Sequence, residues 1–197
     1  PPQTPCLQDQ RPSDQRRNFI MANYGVIRTD LVKATKSGNI LSGRFYNGST
    51  ATAIENGNLV KLDSLIDGER DLWKVVAPGA ITASDLYVVA TPEIIYDESL
   101  KSKGALDQFI NEAGANITLV PLEVGDIISV SDACITQING EETPEVGNYV
   151  TPSAAGTKWQ EIAGASLNTE VFRGKIIARE IYNGTKYLNV IQMVKVR

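Results

Sequence analysis

The chain has 197 residues, 42% hydrophobic and 21% charged, a balance that can bury one substantial core and that excludes wholesale disorder. The net charge is -4, and Lys and Arg are scattered rather than gathered in a stripe, so the phosphate neutralisation behind nucleic-acid affinity has no footing. No run approaches the roughly 18 consecutive apolar residues that a membrane-spanning helix needs, and neither nucleic acid nor a membrane is expected as a partner.

Residues 1–20 are rich in Pro, Gln, Asp and Arg and show no apolar periodicity before Phe19 and Ile20. They lack the apolar region of a signal peptide. Arg16-Arg17 can be encoded by a purine-rich run at ribosome-binding distance from Met21. The expectation is therefore that native translation starts at Met21 and that 1–20 is translated upstream sequence, the other reading being a polar arm ordered by a partner. Residues 21–38 are too weakly periodic for a helix and read as an extended N-terminal arm reaching across a surface.

Residues 39–197 read as one β-rich domain. Asn-Gly occurs at Asn47-Gly48, Asn56-Gly57, Asn139-Gly140 and Asn183-Gly184. This dipeptide tolerates the positive φ of tight hairpin turns, so between apolar runs it signals paired antiparallel strands. The first two pairs flank Ala51–Ile54 and precede Leu59, Val60 and Leu62, as in a meander. A charged loop around Gly68 leads to a strand of Trp73, Val75 and Val76. The almost continuously apolar run 85–90 has the length and β-branching of a strand buried on both faces. A further apolar run, Ile94-Ile95-Tyr96, follows. One short α-helix is expected near 103–113, because Leu106, Phe109, Ile110 and Ala113 fall on one helical face and Gly114 sits at a C′ position. Strands are then expected at 117–122 and 125–130, read as a pair, and at 135–138 and 148–150. The segments 172–182 and 187–196, joined at Asn183-Gly184, form the clearest hairpin. Its last strand has no polar face and reads as covered on both sides or by a neighbouring subunit. The fold class is thus mainly β, a hairpin-rich barrel or sandwich-like body with one short helix and an N-terminal arm.

The chain has no histidine, which removes the commonest general base and metal ligand and the usual partner of a nucleophilic Ser or Cys. Carboxylate clusters occur at Asp67, Glu69 and Asp71 and at Glu141, Glu142 and Glu145, but neither follows a calcium-loop pattern, and both read as solvated loops. Cys134, inside an apolar run, reads as a buried thiol, and with Cys6 in the polar leader no disulfide framework is present. No enzyme, metal or cofactor is expected. Aromatics in strands pack a core as a rule, the alternative being a subunit interface, for which Tyr149, Trp159, Tyr182 and Tyr187 are the candidates.

The opening Met21-Ala22-Asn23-Tyr24-Gly25, the segment Ala51 to Leu62, the pair Gly125-Asp126 before a strand, and Gly147-Asn148-Tyr149-Val150 before Gly156-Thr157-Lys158-Trp159 together resemble the capsid decoration (cement, head-stabilising) proteins of tailed bacteriophages. The resemblance spans most of residues 21–197 as a pattern rather than as a specific motif. It implies a β-rich virion protein on the capsid exterior, clustered as a homo-oligomer with a trimer favoured, whose N-terminal arm contacts the major capsid protein. The arm residues it points to are Asn23, Tyr24, Val26, Ile27 and Arg28. Another tail, fibre or head-completion part and a carbohydrate-binding module are the alternatives.

Overall fold

A computed structural model describes residues 23–36, 38–99, 106–138, 143–164, 170–182 and 184–196. The chain is mainly β, a closed five-stranded barrel beside a curled, six-stranded half-barrel. The barrel is built from β1 (Leu41–Asn47), β3 (Leu59–Leu65), β4 (Leu72–Val76), β5 (Leu86–Val89) and β6 (Ile117–Pro121), in the order β1-β4-β3-β5-β6, and closes where β6 returns to β1. Only β1 and β4 run parallel within it. A short β2 (Thr50–Ala51) extends β1 as a hairpin. The second sheet is ordered β7-β12-β11-β9-β10-β8, from β7 (Ile127–Ser131), β8 (Ile135–Thr136), β9 (Tyr149–Pro152), β10 (Trp159–Ile162), β11 (Arg173–Tyr182) and β12 (Lys186–Lys195).

Five strands enclose little space, and Val60, Val75, Val89, Ile117 and Leu119 fill it together with Ile54. The opposite faces of β3, β5 and β6 contribute Leu59, Leu86, Val88 and Val120 to a larger core that they share with Ile128, Val130, Val150, Trp159, Phe172, Ile176, Ile191 and Met193 of the half-barrel side. The run 85–90 is continuously apolar for this reason: alternate side chains of β5 point into the barrel and into the space between the sheets. The final hairpin forms as expected, with Tyr182 opposite Lys186, and β12 is central, between β11 and β7.

The two bodies meet at a node of close backbone contacts. Gly57 has φ +80° and donates its N–H to the Val89 carbonyl at 2.8 Å, while its own carbonyl accepts the buried Trp159 indole N–H at 2.9 Å. A Cβ on Gly57 would lie 2.6 Å from Cys134 Sγ, and one on Gly25 would lie 2.7 Å from the same sulfur and 2.6 Å from the Asn56 carbonyl. Both glycines are required for approach, and Gly57 also for its dihedral. Next to the node Leu59 N–H donates to the Thr157 carbonyl and Asn58 Nδ2 to Thr157 Oγ1, which stitches barrel to half-barrel.

Several expectations are corrected. The strands at 117–122 and 125–130, read as a pair, lie in different sheets, β6 beside β1 and β5 and β7 beside β12. Asn56-Gly57 is not a hairpin turn: Asn56 is fully buried, and the pair leads into β3. Asn47-Gly48 does close a hairpin, but Asn47 is its last paired residue and the loop is Gly48-Ser49, with φ +63° at Gly48. Asn139-Gly140 lies outside the described residues, as do Asn183 and the leader 1–20. Glu98 and Ser99 are helical, whereas Leu106–Gln108 is a single 3₁₀ turn and Asn111 pairs with Ile54 in an extended bridge. Within 106–113, tertiary partners outbid the helical pattern: Leu106 packs on Val26, Tyr182 and Leu188, and Asn111 is bonded through both main chain and side chain. Residues 23–36, expected as a reaching arm, instead lie along β7 through the bridges Ile27–Val130 and Lys33–Ile127 and form part of the body.

Gly57→Ala is expected to lower stability by about 2–4 kcal/mol, since it combines left-handed strain with a clash on Cys134. Urea unfolding checks this as a lower midpoint at constant slope, and an unchanged midpoint would refute the close-packed node.

Candidate functional site

Among the described residues, the connection from β5 to β6 carries Tyr96, the most exposed of the large apolar side chains at 87%, together with Ile94 at 62%. It walls a cleft of about 600 Å³ between residues 91–97 on one side and 108–116 on the other, with Pro92, Ile94, Ile95, Tyr96, Phe109 and Ile110 as its apolar lining. A second cleft of about 550 Å³, between the N-terminal segment and the barrel, is lined by Val32, Ala34, Ile40 and Val120 and shares Pro92 with the first.

A buried amide network sets the position of these walls. Asn56 Nδ2 donates to the Thr91 carbonyl at 2.8 Å and to Glu93 Oε1 at 3.3 Å, and its Oδ1 accepts from Thr91 N–H and from Asn111 Nδ2. Asn111 Nδ2 also reaches the Ile54 carbonyl, and Ile54 and Asn111 exchange two main-chain bonds. A buried amide satisfied from several sides fixes geometry tightly, because each bond lost would leave a desolvated polar group. Both walls of the cleft are therefore referenced to Asn56.

Glu93 is the electrostatic feature of this network. Its pKa is raised, burial being the main cause, against which the hydrogen bond from Asn56 works to lower it. Burial also pushes the Cys134 thiol up to about 12, so the nucleophilic thiolate is suppressed at neutral pH. The Tyr182 hydroxyl is raised by burial as well. Arg28 and Asp30 form an ion pair at 2.6 Å in which the Asp30 carboxyl is held below its usual range by its hydrogen bond from Arg28.

Of the residues singled out in sequence, Val26 and Ile27 are fully buried in the chain's own core and cannot meet a partner. Tyr24 donates its N–H to the Asp107 carbonyl, and Asn23 Oδ1 accepts from Lys186, which also pairs with buried Asp107. Arg28 is half-buried beside Asp30. Trp159 is a core residue stacked at 5.9 Å on Phe172, and Tyr182 is buried. Tyr187 stays 38% exposed under Arg179, 4.6 Å from its ring, and Tyr149 is half-buried near Arg173 and Lys175. The five arm residues and four aromatics thus do not converge on one site. Asp67, Glu69 and Asp71 are exposed in the β3–β4 loop, as expected for solvated charges. Glu145 is exposed, and Glu141 and Glu142 lie outside the described residues. Among the described residues no group of three Cys, Asp or Glu side chains could hold a metal ion. The cleft itself was signalled in sequence only by the run Ile94-Ile95-Tyr96, which looks the same whether buried in a strand or exposed on a loop.

No family model matches the chain, and neither does any curated protein or solved structure.

Two outcomes follow for the network. A carboxyl whose pKa is raised in the folded state contributes stability below the ordinary carboxylate range and loses it as pH rises through the raised value. Glu93→Gln is therefore expected to gain stability relative to the natural protein as pH rises above the ordinary carboxylate value of 4.5, measured as the difference in unfolding midpoints. Asn56→Ala is expected to cost about 2–3 kcal/mol and to speed amide exchange in residues 91–97, because it strands several buried partners.

Proposed function

We propose that the protein is a structural virion component that binds the outer surface of a tailed-phage capsid through its major capsid protein and stabilises the shell. The observation that carries this reading is the solvent-facing apolar edge Pro92, Ile94 and Tyr96 above a cleft whose walls are rigidly referenced to the core. Large apolar side chains held in water by a fixed scaffold mark a surface that is covered in an assembly. The resemblance of residues 21–197 to capsid decoration proteins names the assembly, and the β-rich body agrees with it.

In this reading the contact lies on the β5–β6 connection rather than on residues 23–28, whose apolar members Val26 and Ile27 serve the chain's own core. Tyr187 and Ile181, exposed at the tip of the last hairpin, supply a second apolar patch, suited to contact between copies in a homo-oligomer, a trimer in the proposed arrangement. The interior polar groups act as positioning devices, and the protein works by adhesion.

The test is binding to purified phage shells that lack this protein, with heat release of the shell contents as the readout. The protein is expected to bind and to raise shell heat resistance. Ile94→Ser with Tyr96→Ser is expected to weaken binding by about 30-fold or more, with the unfolding midpoint of the free protein unchanged. A shell that neither binds the natural protein nor gains stability refutes the reading.

A further inference from the structure

Residues 91–96 alternate strictly between half-buried and exposed, with Pro92, Ile94 and Tyr96 exposed and Thr91, Glu93 and Ile95 half-buried. That is the period of a β-strand. Yet among the described residues the main-chain groups of Ile94, Ile95 and Tyr96 make no hydrogen bond. The segment is held at its start, where Thr91 N–H donates to Asn56 Oδ1 and Glu93 Oε1 accepts from Asn56 Nδ2. Residues 94–96 thus run on from an anchored start with no main-chain partner among the described residues. The cleft beside them is bounded on the far side by Phe109 and Ile110, with Glu112 exposed on the same wall.

An unpaired strand edge offers donors and acceptors at the repeat of a polypeptide, and only another extended chain matches that repeat along its length. Apolar side chains on alternate positions of an incoming strand would meet Ile95, Phe109 and Ile110. Glu112 favours a basic residue near it. We propose that residues 92–96 accept a β-strand from the shell protein, an extended segment with apolar residues at alternate positions and a basic residue in register with Glu112. This deepens the capsid-binding reading and rests on it for the identity of the donor, while the edge and the cleft are properties of this chain alone. Main-chain bonds would then supply affinity and the cleft the choice of side chains.

The experiment uses the full chain and a synthetic heptapeptide alternating Val and Thr with one terminal Arg, beside the same peptide N-methylated on alternate amides. Saturable binding is expected to slow amide exchange by about 10-fold or more at the alternate residues whose N–H faces the cleft, either Ile94 and Tyr96 or Ile95, and the N-methylated peptide is expected to fail. Glu112→Lys is expected to weaken binding by about threefold. Ile95→Pro and Tyr96→Pro each remove one N–H from an edge with no internal partner, so both are expected to keep the natural unfolding midpoint, and the one whose N–H faces the cleft to lose binding of peptide and shell alike. Equal binding of the N-methylated peptide, or binding without amide protection, overturns the proposal. So does a slowing of the same amides in the free protein that disappears on dilution, because a second copy then occupies the edge. Shells that bind both proline variants as well as the natural protein also overturn it and leave the capsid reading standing. Failure of the natural protein to bind shells refutes the capsid reading, and peptide protection in that case overturns only the assignment of the donor to the shell.

Discussion

The hydrogen bond from the Trp159 indole to the Gly57 carbonyl is the constraint on which the rest of the structure depends. It spans the two β bodies at a point where the chain cannot tolerate a single added carbon on Gly25 or Gly57. The Trp159 ring is fully buried, so its N–H must find a partner, and the carbonyl it uses belongs to a residue whose φ of +80° only glycine adopts at low cost. Bond, dihedral and packing therefore over-determine one another. The curled half-barrel has one way to sit on the barrel.

That node also reaches the surface. Asn56 precedes Gly57 and is held by the same backbone geometry, and from it radiate the bonds to Thr91, Glu93 and Asn111. The exposed apolar edge is thus two short steps from the close-packed node around Gly57. Loops that bind partners commonly trade order for adaptability, whereas here a buried amide network fixes the loop walls in advance, which lowers the ordering cost of any contact they make. The partial burial of Glu93 is a cost of this arrangement, since its charged form is disfavoured where it sits.

Other buried polar groups follow the same pattern. Asp126 accepts the N–H groups of Thr35 and Glu123 and the Thr35 hydroxyl, tying the N-terminal segment to the turn before β7. Glu161 accepts from Glu145 N–H and Asn148 Nδ2 through one oxygen, while its other carboxylate oxygen has no hydrogen-bond partner. Asp132 bridges Arg179 and Asn189 at the end of the half-barrel where Tyr187 is exposed. In each case a side chain with acceptor capacity satisfies backbone or amide donors that regular sheet leaves open, and the result is a shaped surface made of loops held by strands.

The sequence by itself determined the β class, the buried strand at 85–90 and the long final hairpin, because these follow from local properties: side-chain periodicity, β-branching and the φ tolerance of turn residues. It did not determine the role of Asn56-Gly57, which has the composition of a hairpin turn but is used as a core node, nor the fate of 106–113, where a helical spacing of apolar residues is overridden by contacts with Val26, Tyr182 and Leu188. It placed Val26 and Ile27 among the residues that meet partners and left Trp159 as a core residue with an interface as the alternative, and folding buries all three. Tertiary structure alone decided the closure of the barrel, the docking of residues 23–36 along β7, and the exposure of Ile94 and Tyr96 beside an unpaired edge. The physical reason is the same throughout: whether an apolar residue is buried, and whether a backbone group is paired, depends on segments distant in sequence, and no local pattern carries that information.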